Sequence, residues 1–186
     1  MSQRFPSKRR SARQPRGRII LVLGGASSGK SEAALRFAGL HGPRAFIATG
    51  QGLDQEMAAR IARHQATRSP DWDTVEEPVD VEAWLSKQGT RYRTILFDCV
   101  TLWMSNLLGT GLTQEGVLSR AGTLLEQMRE SRARVVIVSN ELGWGLVPIK
   151  PSARAFRDLS GRVNQLIAAG ADEAYLVVSG IPLRLK

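Results

Sequence analysis

Residues 19–40 read IILVLGGASSGKSEAALRFAGL. An apolar run of strand length comes first, then a turn of glycine and serine, then a helical pattern. Within it, Gly24-Gly25-Ala26-Ser27-Ser28-Gly29-Lys30-Ser31 satisfies G-x-x-x-x-G-K-[ST]. A strand before that spacing and a helix after it are the context in which it forms a phosphate-binding loop. The glycines let backbone N–H groups converge on phosphate oxygens, and the helix N-terminus adds its partial positive charge. Lys30 is expected to reach the β- and γ-phosphates, and the Ser31 hydroxyl to ligate Mg²⁺. The stretch therefore predicts a site for the tail of a nucleoside triphosphate, ATP or GTP. A kinase, a switch GTPase and a helicase motor all remain open at this point.

Working outward, four further runs resemble the first. They are 45–50 (AFIATG), 94–100 (TILFDCV), 135–140 (VVIVSN) and 174–180 (AYLVVSG). Each is continuously apolar rather than alternating, which predicts strands buried on both faces. Helical patterns over 54–68, 113–131 and 152–170 lie between them. Strand and helix in alternation predict an α/β fold with a mostly parallel central sheet and helices on both faces, the three-layer sandwich of RecA-like P-loop NTPases. Asp98 ends its apolar run as a Walker-B acid does, where it can assist a metal ion at the carboxyl edge of the sheet. The segment 69–78 (SPDWDTVEEP) reads as a proline- and acid-rich loop able to cover a site.

The net charge of +9 suggests nucleic acid until it is located. Seven of the 26 lysines and arginines fall within residues 1–18, which hold no acid, so the rest has 19 basic against 17 acidic residues. Residues 1–17 are expected to be a disordered basic extension, and 18–186 a single domain. The tail lacks the apolar segment of a secretory signal, and no apolar run approaches the ~18 residues of a membrane span. One cysteine, Cys99, excludes an internal disulfide framework and fits a reducing cytoplasm; its apolar setting predicts an inert buried thiol.

Two histidines occur. His41 sits in a Gly/Pro-rich turn. His64 shares a helical face with Met57 and Ile61, at i, i+4 and i+7. Two readings stand there: a packed histidine, or a neutral imidazole able to attack phosphorus and form a covalent N–P intermediate.

Five ordered segments add a resemblance: GGASSGKS (24–31), IATGQGLDQEMAARIARH (47–64), DCVTLWMSNLL (98–108), SNELGWGLVP (139–148) and the stretch from Ala153 to the C-terminus. Together they resemble the bifunctional adenosylcobinamide kinase / adenosylcobinamide-phosphate guanylyltransferase family of cobalamin biosynthesis, from about residue 18 onward. SNELGWGLVP and FRDLSGRVNQ (156–165) are the specific parts. The resemblance implies two reactions. A triphosphate first phosphorylates the aminopropanol hydroxyl of adenosylcobinamide; a histidine then takes GMP from GTP, releases pyrophosphate and passes GMP to adenosylcobinamide phosphate. His64 matches the guanylylated histidine. The resemblance also implies nucleotide contacts at Ala48, Thr49, Gly50, Gln65, Ala66, Thr67, Arg68, Glu76 and Asp98, and a homotrimer. Where the family usually has Arg inside the loop this chain has Ser27, and Ile149-Lys150 stands where the family has an acid.

Two alternatives differ in class. One is a P-loop small-molecule kinase with His64 merely packed. The other is a nucleotide-dependent nucleic-acid-binding protein using the tail; the near-balanced charge of the body speaks against a basic groove there.

Overall fold

The computed structural model describes residues 17–186 apart from 41, 53, 67 and 68; the side chains at 57, 60, 63, 64 and 66 are also outside the description. Of the expected extension over 1–17, only Gly17 is therefore described. It is buried, and its N–H donates to the Arg129 carbonyl at 3.1 Å.

The order is β1 (Arg18–Gly24), α1 (Lys30–Ala38), β2 (Arg44–Ala48), α2 (Gln55–Ala66), β3 (Trp72–Glu76), α3 (Val81–Gln88), β4 (Thr94–Asp98), α4 (Val100–Gly109), α5 (Gln114–Glu130), β5 (Arg134–Asn140), α6 (Pro151–Gly170), β6 (Glu173–Val178) and β7 (Ile181–Arg184). The strands form one sheet in the order β3-β2-β4-β5-β1-β6-β7. All neighbours are parallel except β6 and β7. β5 thus lies between the P-loop strand and the Asp98 strand.

The continuous apolar runs are explained by two cores, one on each face. Ile19, Leu21 and Leu23 face the layer of α3, α4, α5 and α6, while Ile20 and Val22 face α1. Helix α1 meets the sheet through Ala33, Ala34 and Ala38, whose small side chains allow close approach. Fully buried Trp103 of α4 packs edge-on to Phe97 and donates its Nε1–H to the Val79 carbonyl at 3.0 Å, so its one polar group is satisfied.

Two strands depart from expectation. β3 occupies part of the segment read as a loop, and β7 adds an antiparallel edge. In β3 only Trp72 is buried, so the strand lacks the apolar run that marks the central ones.

The register aligns the strand ends. Gly24 pairs with Asn140, Asp98 with Val138, and Ala48 with both Asp98 and Glu76. One edge of the sheet therefore holds Gly24, Asn140, Asp98, Ala48 and Glu76.

Candidate active site

The P-loop starts where β1 stops. Gly29 caps α1 with φ 89°, and Ser27 has φ 53°, so the turn folds through two left-handed residues. Glycine is required at 29 for a second reason: a Cβ there would stand 3.0 Å from the Gly180 Cα. The Gly180 N–H also donates to the Ser28 carbonyl at 2.8 Å, which fastens the loop to the β6–β7 turn. Gly25, Ala26 and Ser27 are exposed, so their backbone is open to a ligand. The Ser28 Oγ is buried and has no hydrogen-bond partner.

Lys30 opens α1 and is 8% exposed. Its ammonium donates to the Gly25 carbonyl at 2.9 Å, which draws the charge back across the loop. Ser31 follows, and its hydroxyl donates to Asp98 Oδ2 at 3.2 Å. Residues 67 positions apart in the chain thus bring two hard oxygens together at the sheet edge.

Beyond Asp98 the peptide to Cys99 is cis. Burial, followed by the neighbouring Asp98 charge, pushes the Cys99 thiol up to about 12. A thiol so protonated is no nucleophile, as its apolar sequence context predicted. Thr49, which follows β2, is fully buried. Its hydroxyl donates to the Cys99 carbonyl and accepts from the Cys99 N–H, both at 2.8 Å. Its side chain therefore faces Cys99, whereas Ala48 and Gly50 are half-buried at the edge.

Helix α2 crosses the same edge. Gly50 and Gly52 have α2 as their close neighbour: an added Cβ would stand 3.4 Å from Ile61 Cδ1 and 3.3 Å from Ala58 Cβ respectively. Their freedom thus admits the helix. The Gln65 amide donates to Glu76 Oε1 at 3.0 Å and ties the last turn of α2 to the end of β3. His64 lies in that turn with its side chain outside the description, Ala66 ends the helix, and Thr67 and Arg68 fall outside the described residues.

At the other end of the edge, the Glu141 N–H donates to the Gly24 carbonyl at 3.1 Å. The loop after it exposes Trp144 (74%), Leu146 (96%) and Ile149 (94%). Arg154 caps this loop by donating to the carbonyls of Pro148 and Ile149 at 3.0 and 2.6 Å. Arg157 stands 3.6 Å from Asp158, a partly exposed pair of little energetic weight.

The family model for cobinamide kinase / cobinamide phosphate guanyltransferase matches residues 20–185. The chain belongs to this family. The bifunctional adenosylcobalamin biosynthesis protein CobP of Pseudomonas aeruginosa is 41% identical over 167 residues, 89% of this chain and 96% of that protein. The bifunctional adenosylcobalamin biosynthesis proteins CobU of Escherichia coli K12 and Salmonella typhimurium LT2 are each 38% identical over 180 residues, 90% of this chain and 99% of theirs. The resemblance stated from the five segments is therefore borne out over residues 20–185.

One buried amide was passed over in reading the motifs. Asn164, in FRDLSGRVNQ, is 5% exposed. Its Oδ1 accepts from the Ser139 hydroxyl at 2.7 Å and its Nδ2 donates to the Asn140 carbonyl at 3.1 Å. The signal was present: Leu159, Ser160, Val163, Asn164 and Ile167 form the buried stripe of α6, and an amide within such a stripe needs a buried partner.

Proposed function

We propose that this domain carries out both reactions of its family at the one sheet edge: phosphorylation of adenosylcobinamide by ATP or GTP, and transfer of GMP from GTP to adenosylcobinamide phosphate. The observation that carries the reading is the Ser31–Asp98 contact beside Lys30, at the mouth of a left-handed glycine turn. The donor set fits Mg²⁺, which takes hard oxygens and fills its remaining positions with water and substrate phosphates. Among the described residues no group of three His, Cys, Asp or Glu could cage a metal, so a hydroxyl with one carboxylate is the natural holder. When bound, Mg²⁺ neutralises charge on phosphate oxygens.

In the first reaction, Gly24 to Gly29 cradle the triphosphate with backbone N–H groups, and Lys30 leaves the Gly25 carbonyl for the β- and γ-phosphates. The aminopropanol oxygen attacks the γ-phosphorus as its hydroxyl proton passes to water, the bond to the bridging oxygen breaks, and the nucleoside diphosphate leaves. In the second, a ring nitrogen of His64 attacks the α-phosphorus of GTP, and the α–β bridging bond breaks to release pyrophosphate. A phosphate oxygen of adenosylcobinamide phosphate then displaces the imidazole, forming the new P–O bond as the N–P bond breaks. Gln65, Ala66, Thr67, Arg68 and Glu76 surround the GTP in this reading. The tie between Gln65 and Glu76 supports it, because it holds the His64 turn at the nucleotide edge.

Intact-mass spectrometry after incubation with GTP and Mg²⁺ tests the transfer. A gain of one GMP, labile to acid and absent in His64→Ala, is expected. Protein that turns over nucleotide without forming this adduct refutes the His64 assignment and leaves a kinase. The proposal takes the chain as a cytoplasmic homotrimer that binds no nucleic acid. The exposed Ile181 and Leu183 on edge strand β7, with Leu185 just beyond it, suit a subunit contact. Sedimentation as a monomer would remove the trimer.

A further inference from the structure

We propose that Thr49 is a positioning residue for the metal-binding pair, acting through the backbone of Cys99 rather than on nucleotide. The inference rests on the reading that Asp98 and Ser31 hold Mg²⁺. Three bonds from one residue fix the segment that carries Asp98. The Thr49 N–H donates to the Asp98 carbonyl at 3.1 Å. The Thr49 hydroxyl donates to the Cys99 carbonyl and accepts from the Cys99 N–H, each at 2.8 Å. A hydroxyl has one proton to give, and here that proton goes to Cys99. The side chain is fully buried, so the hydroxyl reaches substrate only through what it holds.

What it holds is the metal acid. Asp98 presents Oδ2 to the Ser31 hydroxyl at 3.2 Å, and the peptide just beyond it is the one Thr49 clamps. Thr49 is itself anchored: its carbonyl accepts from Asn106 Nδ2 at 2.8 Å, and the same nitrogen donates to the Pro78 carbonyl at 3.0 Å. Pro78 lies two residues past Glu76, so the half-buried Asn106 links the Asp98 side and the β3 side of the edge. A bland alternative exists, in which the hydroxyl merely satisfies two buried backbone groups. It predicts lost stability and an unchanged metal requirement.

The two separate in the full chain by nucleotide binding without turnover. Affinity for a fluorescent, non-hydrolysable ATP analogue is measured with Mg²⁺ and with a chelator in wild type, Thr49→Val, Thr49→Ser and Asp98→Asn. Partners that orient metal ligands are worth about 10- to 100-fold in metal affinity. The Mg²⁺ enhancement of binding, the ratio of affinities with and without the metal, is therefore expected to fall by about 10-fold or more in Thr49→Val. Thr49→Ser, which keeps the hydroxyl, restores the enhancement. An unchanged enhancement in Thr49→Val beside a lost one in Asp98→Asn overturns the Thr49 role alone. An unchanged enhancement in Asp98→Asn overturns the metal reading beneath it. If Thr49→Val does not fold, Thr49→Ala replaces it; failure of both while Thr49→Ser folds assigns the hydroxyl to the fold and overturns the proposal.

Discussion

Replacing Asn164 by leucine should cost about 3 kcal/mol of stability. The bonds at stake are the 2.7 Å bond from the Ser139 hydroxyl and the 3.1 Å bond to the Asn140 carbonyl. Each is worth a net of about 0.5 to 1.5 kcal/mol. Ser139 is fully buried, so its hydroxyl finds no water once the amide is gone. An orphaned buried donor adds about 1 to 3 kcal/mol, and leucine returns some of the total by burying more apolar surface. In a domain of this length about 3 kcal/mol lowers Tm by roughly 6 to 12 °C. Urea unfolding with thermal melts measures this. The double mutant Ser139→Ala/Asn164→Leu removes the orphan and should recover about 1 to 2 kcal/mol relative to additivity, a coupling expected of groups in direct contact. The consequence reaches the site as well. Asn140 ends β5, and the next residue, Glu141, donates to the Gly24 carbonyl of the P-loop. Asn164→Leu should therefore weaken nucleotide binding more than Ser139→Ala does. A variant within about 0.5 kcal/mol of wild type, or strictly additive energies in the cycle, would refute the reasoning.

Two further outcomes follow from the same coordinates. With its thiol pushed up to about 12 by burial and then by Asp98, Cys99 is thiolate in only ~10⁻⁴ of molecules near pH 8; a disulfide reagent should label the native protein very slowly and the urea-unfolded chain at the rate of a free cysteine. Glu173 is held below the usual carboxylate range, first by the Tyr175 hydroxyl and then by Arg18, against the opposing effect of burial. Because the folded value is the lower one, this stabilisation is present above the unfolded carboxylate pKa and is lost as pH falls through the folded one. The stability difference between wild type and Glu173→Gln should be full at neutral pH and shrink in acid; a difference constant across that range would contradict it.

The parts of the fold that were legible are those whose physics is local. A strand buried on both faces must be apolar at every position, so β1, β2, β4, β5 and β6 announce themselves. The P-loop does so because its glycines answer a backbone requirement that other residues meet poorly. β3 and β7 escaped for the converse reason. WDTVE buries only its tryptophan, and IPLR carries a proline and faces solvent at most positions, so neither shows the continuous run. Helix α4 went unread because its buried stripe of Val100, Trp103, Met104 and Leu107 faces no charged residue: VTLWMSNLLG places Leu102, Ser105 and Asn106 on the other side, so the polar contrast that marks a helical period is weak.

The site divides along the same line, between the groups proposed to meet a ligand and the groups that hold them. Lys30, Ser31 and Asp98 are identifiable one at a time, because each has a chemical role that its residue type and strand- or helix-end position suggest. Thr49, Asn106 and Asn164 have no such signature. Their partners lie 50, 57 and 25 residues away in the chain, at Cys99, Thr49 and Ser139, and become neighbours only once strand order and register are fixed. Strand order also decides what the supports connect: with β5 between β1 and β4, the bonds of Asn164 meet the sheet at the strand that separates Lys30 from Asp98. The phosphate site proposed above needs its acid, its hydroxyl and its loop held at fixed spacing while substrates exchange. Buried Thr49 and Asn164, with half-buried Asn106, supply that spacing here, and the two buried ones are legible only as anomalies, a hydroxyl or amide where the pattern asks for a hydrocarbon.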